Sequence, residues 1–162
     1  MSIFVNYDGI KGECSDPAHQ EWMDVETCNF DAERAITSAT STRGDRESAN
    51  AEINDFIITR YTDSATPKIF IESMCGTGKD VAIHFTKTGK GSGADVYLEL
   101  TLKNALINKF SFAGKSQSNN RPMEAISVSF VEMEVKYTPY DEDGNQIAAI
   151  AVGFDTATNT KK

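Results

Sequence analysis

Apolar and polar residues alternate with period two through much of the chain, which predicts strands with one buried face. The alternation is clearest at Val96, Leu98, Leu100 and Leu102, with Tyr97, Glu99, Thr101 and Lys103 between them. Leu106, Phe110 and Phe112 predict a continuation, with Asn104-Ala105 either a turn between two strands or the bend of one long strand. From Ile126 to Tyr137 the apolar set is Ile126, Val128, Phe130, then Val131, Met133, Val135, Tyr137. The phase shifts by one residue at Phe130-Val131, which predicts a β-bulge or a crossover between sheets. The stretches Ile53 to Tyr61 and Ile147 to Phe154 are apolar on both faces. Such strands need cover twice, from the core on one side and from a helix or a neighbouring subunit on the other.

One helix interrupts this pattern. Thr66 is the expected N-cap, Pro67 the first helical residue and Gly76 the C-cap. Its side chains Ile69, Phe70, Ile71, Met74 and Cys75 form a broad apolar surface expected to lie against a sheet. Pro17 to Trp22 is long enough for only a helical turn. Thr37 to Glu52 is a polar tract without apolar periodicity. Unstructured loops beyond about 12–15 residues are uncommon and usually functional, so the tract reads as an arm that reaches a neighbour rather than an idle hairpin. Thr156 to Lys162 is expected to fray, and no linker divides the chain, so residues 1–162 form one domain.

With 162 residues, 40% of them hydrophobic, the chain can bury a core without a disulfide framework. Its 16 Lys+Arg against 24 Asp+Glu give a formal charge of -8, which repels phosphate backbones and argues against nucleic-acid binding. No stretch approaches the roughly 20 apolar residues of a membrane span. The N-terminus lacks the basic and apolar regions of a cleaved signal peptide. Cys14, Cys28 and Cys75 are odd in number and lack C-x-x-C spacing, which predicts buried reduced thiols rather than a zinc site.

No motif assembles an active site. Gly76-Thr77-Gly78-Lys79-Asp80 lacks the first glycine and the final Ser/Thr of a phosphate loop and follows a helix instead of a strand. Gly89-Lys90-Gly91-Ser92-Gly93 reads as a hairpin tip. Asp141-Glu142-Asp143-Gly144-Asn145 reads as a turn rather than a calcium loop, and Arg43-Gly44-Asp45 is a chance adhesion tripeptide. His84 lies on the face opposite Val81, Ile83 and Phe85 and is expected to point outward; His19 is expected in a loop. Catalytic residues, metal and cofactor are therefore all expected to be absent.

Several segments in order resemble the Hcp family, the hemolysin-coregulated tube proteins of bacterial type VI secretion systems. They are Ile3-Phe4-Val5-Asn6-Tyr7, then Ile10-Lys11-Gly12-Glu13 with Asp16 and His19, Trp22 to Val25, Asp55 to Asp63, Ser64 to Lys68, Arg121 to Glu124, Val128 to Phe130, and Val135 to Pro139. The resemblance implies a compact antiparallel β-barrel of two sheets with one short flanking α-helix, assembling as a hexameric ring. It implies rings stacked into a tube that is propelled with a VgrG-like spike protein inside a contractile sheath and carries effector proteins in its lumen. By the same resemblance the chain is cytoplasmic before assembly and is secreted through that machine. Arg43, Asp45, Arg46 and Glu47 in the arm are the expected contacts between rings. The alternative reading is a β-barrel binding module for a small hydrophobic ligand.

Overall fold

The structure, a computed structural model, describes residues 1–38, 46–89 and 93–162. Two antiparallel sheets share one strand. The first sheet is built from β1 (Ser2–Tyr7), β2 (Met23–Val25), β9 (Lys79–Thr88), β10 (Ala94–Ala113), β12 (Glu132–Tyr137), β13 (Ile150–Asp155) and β14 (Thr160–Lys161). Its order is β2-β1-β9-β10-β12-β13-β14. The second sheet runs β3 (Thr27–Asn29), β8 (Phe56–Tyr61), β11 (Met123–Ser129) and the far half of β10. The pairings do not close into one continuous ring. The barrel turns its second corner where β2 passes into β3 and the Glu26 N–H donates to the Thr59 carbonyl.

The bend in β10 has a local cause. Asn104 sits at φ +50°, a left-handed conformation that Asn tolerates better than most residues. The register with β9 shifts between Leu102 and Ala105, and that with β11 between Ile107 and Lys109. Each extra residue reverses which side chains point inward. The inward set is therefore Leu98, Leu100 and Leu102, then Ala105 and Ile107, then Phe110 and Phe112. The expectation of an inward Leu106 is corrected: it is exposed, while Ala105 and Ile107 are buried. The strand is single, as one of the two readings of the pattern had it. Replacing Asn104 with Val should cost about 1–2 kcal/mol in denaturant unfolding, and Asn104→Gly should cost less.

The expected shift at Phe130-Val131 is a sheet crossover. β11 pairs with β8 and the far half of β10, whereas β12 pairs with the near half of β10 and with β13. The Val131 N–H donates to the Lys103 carbonyl at the crossing.

The helix among the described residues, α1, spans Thr66–Cys75 and ends at Gly76 as expected. Its N-cap is Ala65, not Thr66: the Thr66 hydroxyl accepts from the Asp63 N–H, and Asp63 Oδ1 accepts from the Ala65 N–H. The helix packs against β10, with Phe70 edge-on to Phe110, but only Ile69 of its apolar face is buried.

The polar tract begins as a hairpin. β4 (Ala32–Glu33) pairs with β7 (Glu52–Ile53), and β5 (Ile36–Ser38) pairs with β6 (Arg46–Ser48). The C-terminal residues do not fray as the sequence led us to expect. β14 pairs with β13, and the Asn159 side chain bonds both the N–H and the carbonyl of Ala51, tying the tail to the arm's root.

Candidate assembly surface

Side chains on the inner face of the first sheet line up in rows across the strands. One row is Val5, Ile83, Leu100, Val135, Val152; a second is Ile3, Phe85, Leu98, Tyr137, Ile150. Cover falls away along each row. Ile83 is 0% and Leu100 4% exposed beneath the opposing sheet, whereas Val152 reaches 48%, Tyr137 48% and Ile150 66%. The first sheet thus overhangs the second, and its apolar inner face continues past the protomer's own core. Ile147, in the loop before β13, is exposed as well.

A second uncovered surface lies on α1, where Phe70, Ile71 and Met74 stand exposed. Of the two-sided strands read from the sequence, β8 is covered once within the protomer, whereas β13 is exposed on both faces from Ile150 to Val152. In the β8 segment, Phe56 and Ile58 are buried while Ile57 on the other face is exposed.

Of the expected ring contacts, Arg43 and Asp45 lie outside the described residues. Arg46 and Glu47 stand on β6, opposite Ser38 and Thr37. The overhanging face was not named as a site from the sequence, although its strand was read as needing outside cover.

Two buried polar clusters were not anticipated. Arg60 and Glu124 face each other across β8 and β11, both within the barrel wall. Arg60 pairs with Asp63, and its Nη1 lies 3.2 Å from Glu124 Oε1. Burial pushes the Glu124 carboxyl above its usual range; the Thr66 hydroxyl and Arg60 oppose this. The second cluster corrects the reading of His19 as a plain loop residue. His19 is buried, with Nδ1 2.7 Å from Asp16 Oδ2 and Nε2 2.9 Å from His84 Nδ1. His84 does occupy the outer face of the sheet, but the segment carrying His19 and Trp22 covers it. The cysteines are free, as expected, and Cys14 is buried, but Cys28 is only half-buried and Cys75 is exposed.

The geometry favours assembly over a ligand pocket. The space between the sheets is filled by Phe56, Ile58, Ile69, Ile83, Leu102 and Val128. A cleft of about 470 Å³ is lined by charged groups including Glu13, Asp24, Glu26, Arg60 and Arg121, a poor match for an apolar ligand. The Asp141 turn is a hairpin as expected: Gly144 is at φ +81°, and the Asp141 carboxylate accepts from the Asn145 backbone and side chain. Among the described residues no group of His, Cys, Asp or Glu is placed to hold a metal. No helix among them is long and apolar enough to cross a membrane.

A family model described as "Type VI secretion system effector, Hcp" matches residues 4–137. Protein hcp1 of Pseudomonas aeruginosa is 26% identical over 147 residues, covering 89% of this chain and 87% of that protein. A solved type six secretion system protein superposes with a TM-score of 0.90 at 21% identity, over 99% of both chains. Hcp1 from Salmonella typhimurium superposes with a TM-score of 0.78 at 20% identity, over 99% of this chain and 98% of that one.

Proposed function

Given that the chain belongs to the Hcp family of type VI secretion proteins, we propose that it is a structural tube component whose protomers close into hexameric rings and stack. The observation that carries this reading is the apolar inner face of the first sheet running out from under its own cover at Tyr137, Ile150 and Val152. A cyclic ring joins two different patches, one from each neighbour, with a rotation that closes. The overhang meets the α1 face of the next copy at Phe70, Ile71 and Met74.

Magnitudes explain why closure matters. Fully burying a large aliphatic or aromatic side chain contributes about 1.5–3 kcal/mol, and these side chains are roughly half covered already. Six of them across one contact contribute about 4.5–9 kcal/mol, similar to the estimated 4–15 kcal/mol lost in association. One contact is therefore marginal. The last contact of a ring forms between partners already held together, so it escapes most of that cost.

The arm over residues 37–52 extends this reading to stacking. β8 runs from the arm's root near Ile53 to Arg60 and Tyr61, so the arm leaves one end of the second sheet and suits a contact along the tube axis. Arg43, Asp45, Arg46 and Glu47 are its contacts to the adjacent ring. Deleting Thr40 to Asn50 should leave folded rings that no longer form filaments. Filaments of unchanged length in electron micrographs would reject that role for the arm.

In this reading the chain is not an enzyme, needs no cofactor and binds neither nucleic acid nor membrane. It is cytoplasmic before assembly and leaves through the type VI machine with a spike protein, the sheath around it and effectors in its lumen.

A further inference from the structure

The segment from Ile10 to Trp22 folds on itself and lies on the outer face of the first sheet. Gly12 N–H donates to the Glu21 carbonyl, Cys14 N–H to Trp22, and Glu21 N–H to Cys14. These bonds hold the segment's shape without fixing it to the sheet. Attachment is made largely by rings: His19 stacks on Phe4 at 4.4 Å between centroids, Trp22 lies 4.6 Å from His84, and the His19–His84 hydrogen bond joins segment to sheet. Glu13 adds a peripheral tie, accepting from Ser64 N–H and pairing with Arg121.

We propose that Asp16, His19 and His84 form a proton-operated latch that holds this segment on the sheet near neutral pH and releases it on acidification. The logic lies in the donors. Asp16 accepts from His19 Nδ1–H, which leaves His19 Nε2 facing His84 Nδ1. With both rings neutral, His84 Nδ1–H donates to His19 Nε2. One added proton leaves that bond intact, because a single protonated ring can donate across it while the neutral ring accepts. A second proton puts N–H groups and positive charges on both sides of a 2.9 Å gap, and the rings must part.

The charged and titratable groups around His84 are few. Glu99 lies beside it on β10, with Lys136 paired to Glu99 from β12. On the other side Phe4 separates it from Asp24 on β2, and above it are His19 and Asp16. Burial, then the His19 charge and Lys136, hold His84 below the ordinary histidine value, and Glu99 opposes them. The sign follows directly. A depressed histidine stabilises the latched state above about pH 6.5 and loses that contribution as pH falls toward its folded value.

Trp22, the chain's single tryptophan, reports the latch. In the intact assembled protein, lowering the pH from 7.5 to 4.5 should shift Trp22 emission to the red and lower the amide protection factors across residues 12–22, each taken against the intrinsic exchange rate at that pH, at least tenfold, while β10 and β11 stay protected. His84→Gln keeps a hydrogen-bonding partner for His19 but cannot titrate, so both changes should disappear. Glu99→Gln should move the midpoint to lower pH, because it removes the anion that favours a charged His84. Protection factors that stay flat over this range, an unshifted midpoint in Glu99→Gln, or an unchanged transition in His84→Gln would each overturn the latch. None of these outcomes depends on how rings contact one another.

Discussion

Ile150→Lys should convert a ring of about 106 kDa, six times 17.7 kDa, into folded protomers. Ile150 is 66% exposed at the end of an apolar row that is already half uncovered at Tyr137, so the protomer gives up little by exchanging it. Its own unfolding free energy should change by less than about 0.5 kcal/mol, the range for surface substitutions. At the contact, the lysine ammonium would have to leave water opposite the apolar α1 face. Truncation of one central apolar residue commonly costs about 2 kcal/mol or more per contact, and each protomer in a ring makes two. Met74→Lys on the partner face should have the same effect, since both substitutions act on one contact. Circular dichroism and light scattering on the same sample separate lost assembly from lost folding. An unaltered ring in both variants would remove the overhang and α1 from the interface.

Arg60→Ala should destabilise the protomer by about 3–5 kcal/mol, the range for removing one partner of a buried ion pair. Arg60 is 1% exposed and serves both Asp63 and Glu124, so its loss leaves two shielded carboxyl groups without a cation. The Asp63 turn also feeds α1, because Asp63 accepts from Ala65 N–H and donates its own N–H to Thr66. Damage should therefore spread to the helix and from there to the assembly surface. Glu124→Gln is the contrasting change. The Glu124 carboxyl is raised above its ordinary range, so it contributes stability at low pH that is lost as pH rises through its folded value. Removing the charge should cost much less than Arg60→Ala near neutrality and should flatten that part of the pH dependence. Urea unfolding of both variants at pH 5 and pH 8 measures the difference; equal losses would assign the cluster's effect to packing alone.

Sequence pattern resolved elements whose burial follows from local order. Leu98 to Leu102 alternate in the sequence and in the sheet, although a register shift with β9 between Val96 and Leu98 takes Val96 out of that face, and the phase change at Phe130-Val131 marks the crossover because one added residue necessarily exchanges the two faces. The same rule operates at Asn104 and Asn108, yet there the sequence was ambiguous. Two extra residues close together restore the original parity, so Phe110 and Phe112 fit the pattern while Leu106 does not. The bulges depend on pairing with β9 and β11, which are remote in sequence.

The site divides in the same way. Ile147 to Phe154 announced itself as apolar on both faces, and that is a local property. Its role as an overhang depends on where the opposing sheet ends, which no local pattern records. His19 and His84 are separated by 65 residues, and only the fold brings their nitrogens to 2.9 Å. Thr66 looked like a cap by residue type, but Asp63 provides the turn and Thr66 supports it from within the first turn. The C-terminal residues are polar and looked free; Asn159, at φ +54°, turns them back onto Ala51.

Apolar surface left over by one protomer is covered by identical copies in a closed circle. Light scattering coupled to gel filtration of the unmodified protein, over a hundredfold range of concentration, should show one species near 106 kDa with no stable dimer, because an isolated contact is marginal and closure is cooperative. A folded particle of 17.7 kDa that persists at the highest concentration would contradict it.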